Sequence, residues 1–537
     1  MKKKMTISAA ACSLIISVLL MACSGSSVPD SYVKAEVLPA IYPDYTDVTV
    51  PQNIAPPAFQ VEEAGMEQTV VRFSTADGSE IICGKGLKAQ PDLDEWHTLA
   101  AKAAGGDITI DVYAQDGNGK WIRYQPFAIH VSKDSIDPYI SYRLISPSYV
   151  AYEELTLNQR CLENYDERVM VNNMLCSTED KGQCVNCHNY QQYNPRRMQF
   201  HARQNHGGTI IVYDGTIRKV NMKNDSVISA GVYPTWHPTL PLIVYSTNLT
   251  SQSFHTRYAN KIEVSDAASD LIIYDIEKNE VANVENDPDE FEVYPFWAPD
   301  GRTLYYASAH FEFRDTAMSH AVEVYARANE VKYNIYRKRF DPATRTFGPR
   351  EMVFRADTLT IATLGIDSLQ EAEAQRIRPA IRRDTLGLSA TLPRISPDGR
   401  YLLFTLGRYG CFHIWHREAD LWLMDLTTGE ARPMQEVNSA DTESYHSWSS
   451  NGRWIIFSSR RDDGNFTRPF IAHVDADGKG SKPFELPQQD PNYHREFMKS
   501  YNIPEFMRGP VEITPQQFAD VLKNDNVEPA NFKSTKQ

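Results

Sequence analysis

Several absences narrow what this chain can do before any motif is read. It has no block of basic residues: 69 Asp and Glu outnumber 55 Lys and Arg, giving a formal net charge of −14. Nucleic acid is held by clustered Lys and Arg, so no nucleic-acid partner is expected. Beyond the first two dozen residues, no apolar run approaches the ~20 residues of a membrane-spanning helix. There is no G-x-S-x-G nucleophile elbow and no glycine-rich phosphate loop, which leaves serine-hydrolase and nucleotide chemistry without their usual machinery. Asp475-Ala476-Asp477-Gly478-Lys479-Gly480 begins like a calcium loop. Lys479 stands at the third ligand position and Leu486 where the closing carboxylate belongs, so the segment reads as a hairpin turn. Cysteine is scarce, eight in 537 residues.

What is there starts with an export signal. Lys2, Lys3 and Lys4 precede an apolar stretch from Ile7 to Met21 that closes with Leu20-Met21-Ala22-Cys23. Charge and length are those of a signal peptide. The ending resembles a bacterial lipobox, which implies that Cys23 is lipidated and becomes the first mature residue. The expected division is a signal peptide at 1–22, a Ser- and Gly-containing tether at 23–39, and a lipid-anchored chain in the cell envelope facing the periplasm.

The cysteines that remain are unevenly placed. Cys184-Val185-Asn186-Cys187-His188 is a C-x-x-C-H pentapeptide, the attachment signature of a c-type haem. Its thiols would hold the porphyrin covalently, and His188 would be the proximal iron ligand. Met198 and His201 follow closely enough to be candidate distal ligands, a thioether giving a higher potential and a second imidazole a lower one. His206, before Gly207-Gly208, reads as a turn residue. A zinc site is the rival reading, with Cys161 and Cys176 as further donors. Those two cysteines are also the candidate disulfide in an oxidising compartment. A dithiol redox pair is less favoured, because no βαβ pattern surrounds the motif. Cys83 and Cys411 read as buried free thiols.

Along the chain the pattern is mainly β. Residues 40–132 contain runs such as Asp107-Ile108-Thr109-Ile110-Asp111-Val112-Tyr113, in which Ile108, Ile110 and Val112 share a face. A β-sandwich-like domain is expected there. Residues 133–207 look irregular and are assigned as a haem-binding segment. From 208 to 490 the chain repeats a turn entering a strand: Trp297-Ala298-Pro299-Asp300-Gly301-Arg302, Ile395-Ser396-Pro397-Asp398-Gly399-Arg400 and Trp448-Ser449-Ser450-Asn451-Gly452-Arg453. A fourth unit, Trp236-His237-Pro238-Thr239, departs from the turn. Such recurrence means radial repetition.

These units resemble the TolB-type, WD40-like propeller repeat, which implies a six-bladed β-propeller with Trp236, Trp297 and Trp448 in its core. Residues 491–537 are expected to be a C-terminal extension. The expected function is electron transfer by a monohaem c-type protein, with a redox protein docked on the propeller. Two alternatives stand beside it: a protein- or peptide-binding scaffold with only structural haem or zinc, and a peroxidase-like haem enzyme. More than one acyl chain is needed for stable anchoring, so Cys23→Ser should move the mature protein from membranes to the soluble fraction. Retention on membranes through a high-salt wash would contradict the lipoprotein assignment.

Overall fold

The computed structural model describes residues 27–146, 152–179, 181–255, 260–360 and 387–533. Cys23 and the leader lie outside the described residues. The chain divides into two units: residues up to Asp47 with Pro56–Val131 and Pro487–Tyr493, and the remainder, Val48–Ala55, Ser132–Leu486 and His494 onward.

The first unit is β-rich. Its longest strand, Gly106–Asp116, pairs with Met66–Ser74 on one edge and with Trp121–Arg123 and Phe127–Ser132 on the other. Ile108, Ile110 and Val112 are buried, as their alternation requires. A three-stranded sheet of Ile41–Tyr42, Phe59–Val61 and Lys88–Ala89 accompanies it. One helix, Leu93–Lys102, was not apparent from the strand-like pattern. Asp92 caps it by accepting from the Asp94 and Glu95 N–H groups, and Trp96, Leu99 and Ala100 turn inward.

The second unit is a β-propeller. Among the described residues its sheets have four, five, nine, four and four strands, and the nine-stranded one is two antiparallel runs of four joined by a bridge at Ser269–Phe291, with Glu528–Pro529 and Asn531–Phe532 adding short parallel edges. Within the six antiparallel runs of four, order along the chain is order across the run, with one exception. The innermost strands are Gln183–Tyr190, Gly231–Trp236, Glu290–Trp297, Ser389–Ile395, Glu443–Trp448 and Ser500–Met507. Each lies beside the next, and the last lies beside the first. The exception is the sheet closed by Ser500–Met507. That strand comes from the end of the chain and pairs with Tyr139–Ile145, which continues through Thr156–Cys161 to Glu167–Asn172. Apolar clusters fill the spaces between successive sheets. Trp236, Trp297 and Trp448 lie in them, nearly inaccessible.

The repeat turns work as the sequence suggests. Asp300 accepts from the Arg302 and Thr303 N–H groups, Asp398 from Arg400, and Asn451 from Arg453. The departing unit keeps the geometry by another route: His237 Nδ1 accepts from the Thr239 and Leu240 N–H groups at 3.2 and 2.9 Å. Its Nε2 meets the Gly301 carbonyl of the next turn at 2.9 Å. Gly301 has φ +61, and a Cβ there would lie 2.8 Å from the His237 ring.

Three expectations are corrected. Residues 133–207 are not irregular: they form three strands of the first sheet and two of the second. Their strands escaped notice because the polar residues Gln183, Asn186, His188, Gln199 and His201 are buried and a bulge resets the alternation. The C-terminal residues are not an appendage, since Ser500–Met507 completes the ring and the helix Pro515–Lys523 adds Phe518 and Leu522 to a core cluster. Cys161 and Cys176 are separate free thiols. They sit at opposite ends of the hairpin Thr156–Cys161/Glu167–Asn172. Six residues of strand span roughly 20 Å, far beyond the ~7 Å reach of a disulfide.

Glu292, on an innermost strand, is fully buried with neither carboxylate oxygen partnered. Burial, with Asp270, Glu285 and Glu290 nearby, pushes its pKa from 4.5 to about 9. The folded state therefore keeps a proton that the unfolded state releases, so this group's contribution falls as pH rises through that window. Each pH unit costs up to about 1.4 kcal/mol. Glu292→Gln should raise the melting temperature at pH 8 and leave it unchanged at pH 4, as followed by circular dichroism.

Candidate haem site

Cys184, Cys187 and His188 lie on the innermost strand of the second sheet, and their placement follows from a feature common to all six. Each innermost strand carries one non-glycine residue in the left-handed region: Cys187, Tyr233, Tyr294, Leu392, Tyr445 and Ile503, with φ between 47° and 55°. At each of these the pairing register shifts. Three residues later comes an apolar side chain at or next to the strand's end: Tyr190, Trp236, Trp297, Ile395, Trp448 and Phe506. Immediately after the left-handed residue stands Pro234, Pro295, Pro393 or Pro504 in four strands, and His188 or His446 in the other two. A bulge residue has no ladder partner, so proline is accepted there. Cys187-His188 thus occupies the place of Tyr-Pro.

All six bulges line one narrow space of about 20 Å³ on the ring axis, together with His188, His446, Arg394 and Glu505. Both ring nitrogens of His188 are buried without a hydrogen-bond partner, and its ring packs edge-on to Tyr190 at 6.2 Å. Burial, then the charge of Arg143, pushes its pKa down to about 3, while the Ser141 backbone opposes them. The imidazole is therefore neutral, the state in which it binds a metal. Glu505, whose carboxylate accepts from Asn189 Nδ2 at 2.9 Å, is pushed up to about 7 by burial.

A second, larger cavity of about 720 Å³ adjoins this space and shares Cys187, Tyr233 and Tyr445 with it. Cys184 and Cys187 both line it and are free thiols. Burial raises the Cys187 thiol. His201 lines the cavity from the neighbouring strand, Arg197–Gln204, where it stands opposite Asn186. Its Nδ1 meets Thr209 Oγ1 at 3.3 Å, leaving Nε2 for the cavity. Burial pushes it also to about 3.

Strand alternation separates the two candidate distal ligands. Met198, with Phe200, lies in the apolar cluster between the first two sheets and does not line the cavity, whereas His201 does. His206 uses its backbone N–H on Gln183 Oε1 and its ring has no part in the site. No three His, Cys, Asp or Glu side chains gather as a metal site among the described residues, so zinc would lack a donor set there. Sequence reading missed His446, Arg394, Glu505 and Arg143. The signal that could have found the first three is the repeated left-handed residue, then Pro or His, two positions before the strand's apolar end.

The thiols and the cavity fit a covalently held cofactor, while the His188 ring lines the narrower space beside it. Two unpaired thiols face a cavity of the size that holds cofactors, ~300–1,000 Å³. An unpartnered neutral imidazole sits in the adjoining space, and the aromatic rings of Tyr233, Phe412, Trp415 and Tyr445 line the cavity.

No protein-family model and no curated protein matches this chain. Among solved structures, it is similar to TolB from Acinetobacter baumannii at 11% identity and a TM-score of 0.39, over 77% of this chain and 84% of that one. A prolyl endopeptidase is similar at 12% identity and a TM-score of 0.33, over 71% of this chain and 41% of that one. A putative 6-phosphogluconolactonase from Bacteroides fragilis is similar at 11% identity and a TM-score of 0.29, over 66% and 96%. This chain spans well under two thirds of the endopeptidase. Likeness at this level says nothing of activity.

The bulge equivalence has a direct test. His188→Pro should fold, with a loss of stability well below that of a proline placed at a paired strand position. Val185→Pro, which breaks the pairing with Ala202, should be strongly destabilising. Urea denaturation of both variants checks this.

Proposed function

We propose that this protein is a lipid-anchored monohaem c-type protein of the cell envelope that exchanges electrons with a redox protein docked on its propeller. The observation that carries this reading is the pair of buried, unpaired thiols of Cys184 and Cys187, opening on a cofactor-sized cavity beside the unpartnered imidazole of His188. A protein interior is close-packed, and a cavity bordered by such groups supports a cofactor held there. Cys184 and Cys187 would carry the haem covalently, His188 would ligate iron, and His201 is the second candidate ligand. Bound haem supplies one-electron chemistry at iron. The chain's own part is to hold the imidazoles neutral and to shield the site: Cys184, Cys187, His188 and His201 are all nearly inaccessible.

The lipid on Cys23 would keep the protein at the membrane, facing the periplasm. The scaffold and peroxidase-like readings remain as outcomes of one experiment, the absorption spectrum and mass of the mature protein made alongside the c-type maturation machinery. Covalent haem with a six-coordinate, low-spin spectrum is expected. His201→Ala should convert it to high spin and Met198→Ala should not. Five-coordinate haem that binds peroxide would favour the enzyme, and a haem-free wild type would leave only the binding scaffold.

A further inference from the structure

Acidic residues fill 69 of 537 positions in this chain, yet none of the thirty described residues lining the 720 Å³ cavity is Asp or Glu. Three are cations: Arg143, Arg203 and Lys223. The arginines come from two other strands, Arg143 from Tyr139–Ile145 in the first sheet and Arg203 from Arg197–Gln204, which pairs with the strand that carries the thiols. Arg143 donates to the Val185 carbonyl at 3.3 Å and to Asn502 Oδ1 at 2.7 Å, while its Nε is buried without a partner. Arg203 stands opposite Cys184 across the pairing and places Nη2 3.5 Å from its Sγ. Neither arginine is paired with a carboxylate among the described residues. Elsewhere in the chain arginines do pair in this way, as Arg197 with Asp214 and Arg218 with Glu528. Two guanidinium groups lining one concave space with no carboxylate among its lining residues attract an anion, Arg143 from its half-buried position and Arg203 from the cavity's exposed rim. Their planar forks suit carboxylates and oxyanions.

We propose that this cavity is an anion-binding site whose occupant presents a carboxylate or oxyanion to Arg143 and Arg203. The site stands with or without haem. If haem is attached, its own propionates are one source of the anion, and a free small anion is the other.

The test uses the full mature chain in two forms: wild type bearing haem, and Cys184→Ser/Cys187→Ser, which cannot attach it. Calorimetric titration and thermal denaturation are run with succinate, nitrate and phosphate. In the haem-free form at least one of these should bind and raise the melting temperature. Arg203→Gln, a change at an exposed side chain, should weaken that binding about tenfold, as should Arg143→Gln. Arg355→Gln, a mostly exposed arginine that does not line the cavity, should leave it unaltered. If haem-bearing wild type responds as well, a free anion is the ligand. If the response disappears there and Arg203→Gln shifts the haem midpoint potential, the propionates fill the site. Failure of all three anions to bind the haem-free form, or binding undiminished in both cavity arginine variants, overturns the proposal. Absence of covalent haem from wild type would instead sink the haem reading alone.

Discussion

The second unit depends on one set of hydrogen bonds, those joining Ser500–Met507 to Tyr139–Ile145. Without them the sheet that follows the sixth would lack its innermost strand, and Tyr139–Ile145 would be an open edge of the kind that aggregates. Closure removes that edge and fixes the six inner strands against one another. Only then do the bulges at Cys187, Tyr233, Tyr294, Leu392, Tyr445 and Ile503 converge on one axis. Left-handed backbone at a non-glycine residue is costly, and here the cost recurs six times. The ladder on either side of each bulge over-determines it.

Much of this architecture was legible in the sequence because its signals are local. The Asp-Gly and Asn-Gly turns at Asp300, Asp398 and Asn451 announce themselves by side chains that accept from the next backbone N–H groups. The strands that follow them are continuous apolar runs. The closing strand was not legible, since Ser500–Met507 carries no repeat turn and its partner lies at the other end of the unit. Nor was the second sheet, because Asn186 faces the cavity, His188 the axis, and Gln183 is buried on backbone carbonyls. Strand recognition expects an alternating apolar face, and an inner strand that lines a cavity violates it.

The site divides in the same way. Cys184, Cys187 and His188 are visible as a pentapeptide, and His201 by proximity in sequence. What sequence distance cannot give is the face of a strand. Met198 and His201 are three residues apart, and the odd spacing sends one into the apolar cluster and the other to the cavity. Arg143 was invisible for a different reason: it reaches the thiol-bearing strand, at the Val185 carbonyl, across the boundary between two sheets. That Cys187-His188 replaces a Tyr-Pro step also explains how the motif sits in a propeller without distorting it. The fold already held a left-handed residue and an unpaired backbone position there.

The closing strand also sets an order of events. A chain emerging from a ribosome or a translocon begins the first sheet at Tyr139 and must make five further sheets before Ser500 exists to complete it. Until then the strand Tyr139–Ile145 has one bare side. Long loops add only slowly to the entropy of closure, so the delay is one of timing more than of free energy. Ser500–Met507 is therefore the part whose arrival turns a string of blades into one cooperative body, and a stop codon shortly before it would cost far more than the share of the chain it removes.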